Sequence, residues 1–72
     1  MKRSERLAKE GKIEVKIGSL EIAKVISSQE MSRMANNLRY LGTDYDALYD
    51  GHEVWANVYE DEMTNQLYAT IE

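Results

Sequence analysis

The sequence has no cysteine and no proline, four isolated glycines, a single histidine, and no lysine or arginine anywhere after Arg39. Without cysteine there are no disulfides, no thiolate metal sites and no cysteine nucleophile, and a small core has no covalent staple. Without proline, nothing marks a domain boundary, and residues 1–72 are expected to form a single domain. Gly11, Gly18, Gly42 and Gly51 stand alone as turn or cap positions, so no glycine-rich loop that would cradle a phosphate is present. No stretch approaches the roughly 18 consecutive apolar residues of a membrane span, and Met1-Lys2-Arg3 is not followed by the apolar run of a signal peptide. A soluble, cytoplasmic protein is the expectation. A chain of 72 residues buries only about 60% of the surface it exposes when unfolded, which leaves little room for an enclosed cofactor or a deep cleft. No cofactor and no enzymatic activity are expected, and function should reside on the surface.

The missing C-terminal cations give the charge a direction. Up to Arg39 the chain carries nine Lys and Arg against five acids, a balance of +4. From residue 40 onward, Asp44, Asp46, Asp50, Glu53, Glu60, Asp61, Glu62 and Glu72 stand without a counter-ion, a balance of −8. A field of one sign steers association with an oppositely charged partner and discourages like-charged ones.

Residues 2–10 are good helix formers that end at Gly11, and with only Leu7 to anchor them they read as a short helix or a basic arm over residues 1–11. Residues 12–17 alternate as a half-buried strand. Gly18-Ser19 suits a two-residue turn that would set Ile17 opposite Leu20, Lys16 opposite Glu21 and Val15 opposite Ile22. Ser27-Ser28-Gln29-Glu30 is a capping box, and Met31, Met34, Ala35, Leu38 and Leu41 then form one apolar stripe of a helix expected to stop at Gly42. A competing reading runs a single helix over residues 19–41. Asp50-Gly51 signals a type I′ hairpin between strands over residues 45–49 and 52–59, although 44–49 could instead form a helical turn. A polar loop over residues 60–65 precedes a last strand over 66–71. The pattern predicts a small α+β fold, ββαβββ with an optional N-terminal helix, in which an antiparallel sheet carries the Met-lined helix on one face. Val15, Ile17, Leu20, Ile22, Met31, Met34, Leu38, Leu41, Val54, Val58, Leu67 and Ile71 are the expected core.

Little in this pattern supports chemistry. His52, alone in a strand after a turn, reads as a surface residue, and no serine occupies a nucleophile elbow. Asp46, Asp50 and Gly51 resemble the start of a calcium loop, but Leu48 and Asn57 stand where ligands are needed, so no metal is expected. What remains is a surface rich in acids and aromatics: Asp44, Asp46, Asp50, Glu53, Trp55, Tyr59, Glu60, Asp61 and Glu62 are the candidate partner-binding residues. On strands, alternate residues repeat about every 6.6 Å on one face, so acids at 44, 46 and 53 would make a row that imitates nucleic-acid phosphates, with Trp55 and Tyr59 as anchors.

In size, acidity and lack of catalytic residues the chain resembles phage-encoded inhibitors of the anti-CRISPR and antirestriction type. The absence of cations after Arg39 points to a basic, nucleic-acid-binding protein as the partner, its nucleic-acid channel occupied by the acidic C-terminal sheet. Two other functions fit the sequence: a regulator that binds nucleic acid through Lys2, Arg3, Arg6, Lys9 and Lys12, and a structural subunit that forms a homodimer.

Overall fold

A computed structural model describes residues 2–72. Helix α1 (Arg3–Lys9) is followed by β1 (Lys12–Val15), β2 (Glu21–Val25), α2 (Ser28–Met34), a single 3-10 turn (Ala35–Asn37), β3 (Leu38–Tyr49), β4 (His52–Asp61) and β5 (Leu67–Ile71). The order ββαβββ with a helix in front is the expected one. The sheet is not open, however: it closes into a five-stranded barrel in the order β1-β2-β5-β4-β3, and β3 returns to β1 at Glu14↔Leu48. All pairs are antiparallel except β2 with β5. Closure follows from β3 and β4, strands of 12 and 10 residues with irregularities between Tyr40 and Gly42 and between Asp44 and Ala47. Such bulges bend a strand and increase its twist, so a long ribbon coils far enough to meet its other edge.

A barrel this narrow selects small side chains for its interior. Ala23, Ala47, Ala56 and Ala69 are fully buried, and the largest fully buried side chains are Ile13, Val15 and Val58. Of the expected core, Val15 and Val58 are buried, and Ile17, Leu41, Val54, Leu67 and Ile71 pack half-buried around them. Leu20 is 55% exposed, and Ile22, Met31, Met34 and Leu38 are half-buried.

Three local differences account for this. In the first hairpin Ile13 faces Ala23, Glu14 faces Ile22 and Val15 faces Glu21, one residue away from the register that a two-residue turn would set. A five-residue loop, 16–20, replaces that turn, with Gly18 at φ 75° between the Ile17 carbonyl and the Ser19 amide that donates to it. A slip of one residue reverses the faces of β2, so Ala23 enters the core, Ile22 is left half-buried on the other face, and Glu21 takes the place opposite Val15 but stays exposed at the strand's end.

The second difference lies in α2. Its capping box forms as expected, with the Glu30 amide donating to Ser27 Oγ at 3.1 Å and the Ser27 amide to the Glu30 carboxylate at 3.4 Å. The helix ends at Met34, not before Gly42, and none of its residues is buried, so it is not the core-forming helix of the expected layout. Asn36 and Asn37 are poor helix formers, and Leu38, Arg39 and Tyr40 instead pair with Asp61, Glu60 and Tyr59, which extends the barrel ladder. The third difference is in β3, where Asp50 and Gly51 do form the two-residue turn with positive φ (51° and 81°) and the expected register holds from Tyr49↔His52 to Ala47↔Val54. Beyond Ala47 it shifts, so that Asp44, not Tyr45, faces Ala56.

The N-terminal segment is a docked helix, not a free arm. Ser4 and Leu7 are buried, Ser4 Oγ accepts the Gly51 amide at 2.9 Å, and Arg3 reaches Glu14 at 3.4 Å. Leu7→Ala should therefore cost about 2 kcal/mol in urea unfolding, whereas a cost under about 0.5 kcal/mol would mean that α1 adds nothing to the fold.

Candidate functional site

Alternation along β4 sends Val54, Ala56 and Val58 inward and leaves Glu53, Trp55, Asn57 and Tyr59 on the outer face. The shifts in β3 bring Thr43 opposite Asn57 and Tyr40 opposite Tyr59 on that same face. Two aromatic pairs result. Tyr45 meets Trp55 edge-on, with ring centroids 5.1 Å apart and planes at 86°, and Tyr40 meets Tyr59 at 5.4 Å and 50°. Between them runs a polar rung: Thr43 Oγ1 donates to Asn57 Oδ1 at 2.7 Å. Because a hydroxyl has one proton to give, the Tyr40 hydroxyl must be the donor in its 2.6 Å bond to Thr43 Oγ1. This chain fixes the Tyr40 ring beside Tyr59. Tyr40, Tyr45 and Trp55 nevertheless remain more than half exposed. Tyr59 is half-buried, as is Tyr68, which continues its row on β5.

The candidate acids separate into two groups. Asp44 is 6% exposed: its carboxylate accepts the Lys16 amide and, at 2.9 Å, the Asp46 amide. The regular row expected at 44, 46 and 53 is thus not formed, because the irregularity turns Asp44 into the barrel, where it bonds the backbone. Glu60 is half-buried and paired with Arg39 at 2.8 Å. Asp61 accepts the Met63 and Thr64 amides at 2.8 and 3.2 Å, so it shapes the β4–β5 turn. Asp46, Asp50, Glu53 and Glu62 are exposed. Glu53 lies two residues from Trp55 on the same face, and the Glu72 amide donates to the Trp55 carbonyl at 3.0 Å, which places the acidic C-terminal residue beside it.

The division of charge along the chain is partly undone in space. Helix α1, with Arg6 exposed on it and Lys2 exposed just before it, lies against the Asp50-Gly51 turn through Ser4, and Glu5 approaches Gly51. Arg39 is the sole cation from β3 to β5 and is engaged by Glu60. Across the barrel seam exposed Lys24 stands opposite Tyr68, so a cation ends the row that runs from Tyr40 through Tyr59, while Glu53 and Glu72 are the charges beside Trp55.

Tyr40 and Tyr45 are the members of this face that sequence pattern alone misses, since strict alternation puts Tyr45 inside with Ala47. The available signal is Asp44-Tyr45-Asp46. An aspartate in a strand that bonds the amide two residues on is a turn former, and here it makes the bulge. His52 is exposed at the start of β4. Among the described residues no three His, Asp or Glu side chains converge as metal ligands, and no helix is long and apolar enough to cross a membrane. Comparison with protein-family models, with curated proteins and with solved structures finds no match to this chain.

Proposed function

We propose that this protein is a non-catalytic inhibitor or regulator that binds a basic, nucleic-acid-binding protein through the outer face of β3 and β4. The observation that carries the reading is the pair of aromatic contacts on that face, three of whose four rings are more than half exposed on a rigid barrel. Tyr and Trp are the side chains that anchor protein interfaces, and rings already held by cross-strand packing lose little freedom when a partner covers them. Glu53, Glu72 and Asp46 provide an acidic rim that selects for a basic surface. Aromatic platforms also stack nucleic-acid bases, but those platforms track the phosphate backbone with Lys and Arg, and this rim carries the opposite sign. The imitation is therefore of base faces and general negative charge, not of a spaced phosphate row. Small acidic phage inhibitors of the anti-CRISPR and antirestriction type are the class such a protein would join.

Direct nucleic-acid binding through the N-terminus is the weaker reading, because α1 is docked and Arg3 faces Glu14. The test is capture of a nucleic-acid-binding protein on the immobilised barrel. The complex should weaken as salt rises from about 50 to about 200 mM, should be displaced by nucleic acid, and should lose about three- to tenfold in affinity with Glu53→Lys. Indifference to salt and to Glu53→Lys, or binding of labelled nucleic acid by the barrel itself, would sink the reading.

A further inference from the structure

The end of the barrel away from the Asp50-Gly51 turn is open. A cavity of about 230 Å³ enters it, lined by Val15, Ile17, Leu41, Val58 and Leu67, with Glu21, Glu60 and Asn65 also in its wall. We propose that this mouth is a socket for one lysine or arginine side chain of a partner protein. The inference rests on the reading above only for the partner's being a basic protein; the mouth is distinct from the aromatic face.

Size, lining and charge point to the same occupant. Ligand pockets for drug-sized molecules run from roughly 300 to 1,000 Å³, and this one is smaller, the scale of a single long side chain. The wall is apolar where an alkyl stem would lie and acidic where its charged head would arrive, which is how Lys and Arg side chains divide themselves between media. The two carboxylates differ in what they lack. Glu60 is already neutralised by Arg39 at 2.8 Å, whereas Glu21 accepts only from Ser19 Oγ at 3.1 Å and has no cation within ion-pair distance among the described residues. Lys16, in the loop that borders the mouth, bonds Asp44 through its backbone amide; its side-chain ammonium is not part of the cavity wall. The site thus holds one uncompensated negative charge above an apolar floor.

The way Glu21 arrives there supports a role. The slipped register sets Glu21 opposite Val15, where it stands exposed at the rim of the mouth, while Ile22 takes the other face and Leu20 stays exposed. A tight turn at Gly18-Ser19 would have done the reverse and satisfied the hydrophobic pattern. Departures from such local consistency are expected at functional or strained sites.

Butylguanidinium serves as the probe, with butanol as the neutral analogue and pentanoate as the anionic one. Titrated into the isolated protein and followed by methyl NMR, butylguanidinium should shift the methyl signals of Val15, Ile17, Leu41 and Leu67 saturably, and butanol and pentanoate should bind more weakly. Glu21→Gln should weaken the guanidinium about three- to fivefold, the size expected of a solvent-accessible ion pair, and leave butanol unaffected. Equal binding of guanidinium and alcohol, stronger binding of pentanoate, no shift with any probe, or indifference to Glu21→Gln would each overturn the proposal. Because no partner protein enters this titration, its failure would leave the aromatic-face reading standing, and loss of partner capture would not touch the socket.

Discussion

Replacing Asp44 with alanine is expected to destabilise the protein by about 2 to 3 kcal/mol, while Asp46→Ala changes stability by less than about 0.5 kcal/mol. The two residues are two positions apart in an acidic stretch, so the contrast isolates geometry from composition. Asp46 is exposed, and among the described residues its carboxylate accepts no hydrogen bond. Asp44 is buried, and its carboxylate accepts the amides of Lys16 and Asp46, one from the loop after β1 and one from the irregularity in its own strand. Hydrogen bonds to a charged acceptor are worth about 1.5 to 3 kcal/mol each, and relief from burying the charge offsets part of the loss. A domain of this size has a total stability of only about 4 to 11 kcal/mol, so the effect would be prominent in a urea titration. Asp44→Asn keeps one acceptor oxygen and should fall between the two. A cost for Asp44→Ala as small as that for Asp46→Ala would show that the bulge does not depend on this carboxylate.

Asp44 also shows where sequence reading stops. The Asp50-Gly51 turn and the Ser27–Glu30 cap are legible because each is decided by a few adjacent residues with one favourable geometry. The boundary between α2 and β3 is not, since Leu38 and Leu41 fit a helical stripe and a strand equally well. What decides it is the distant segment Tyr59–Asp61, which offers Leu38, Arg39 and Tyr40 a ladder. Barrel closure has the same character: it depends on the β1–β3 seam and on two irregularities in β3, of which only the one at Asp44-Tyr45-Asp46 leaves a local trace. The interior was obscured for a further reason. Attention to large aliphatics selects Leu20, Met31 and Met34, whereas a narrow barrel is filled by alanines that carry little hydrophobic signal. On the outer face Trp55 is legible from alternation along unbroken β4, but Tyr40 and Tyr45 reach it only through the shifts in β3.

Trp55→Ala is expected to weaken partner binding by about 30- to 1,000-fold, the range of an interface hot spot of about 2 to 4 kcal/mol. The loss should exceed that of any single acid on the rim, because a rim charge acts mainly through solvent and on the rate of encounter. Trp55 is more than half exposed, and its one aromatic contact is with Tyr45, so unfolding stability should fall by no more than about 1.5 kcal/mol. Tyr45→Ala removes the ring that holds the indole edge-on and should cost binding less than Trp55→Ala while acting through the same contact. Tyr45 and Trp55 should therefore be non-additive in a double-mutant cycle, by at least about 0.5 kcal/mol. Tyr40→Phe provides the complementary case. It keeps the ring against Tyr59 and removes only the hydroxyl that donates to Thr43. If the face binds through its aromatic surface, Tyr40→Phe should leave affinity within about threefold of the parent, since surface changes that spare the rings fall within about 0.5 kcal/mol. Normal binding by Trp55→Ala, measured by calorimetry at low salt with a protein whose fold is intact, would move the interface off this face altogether.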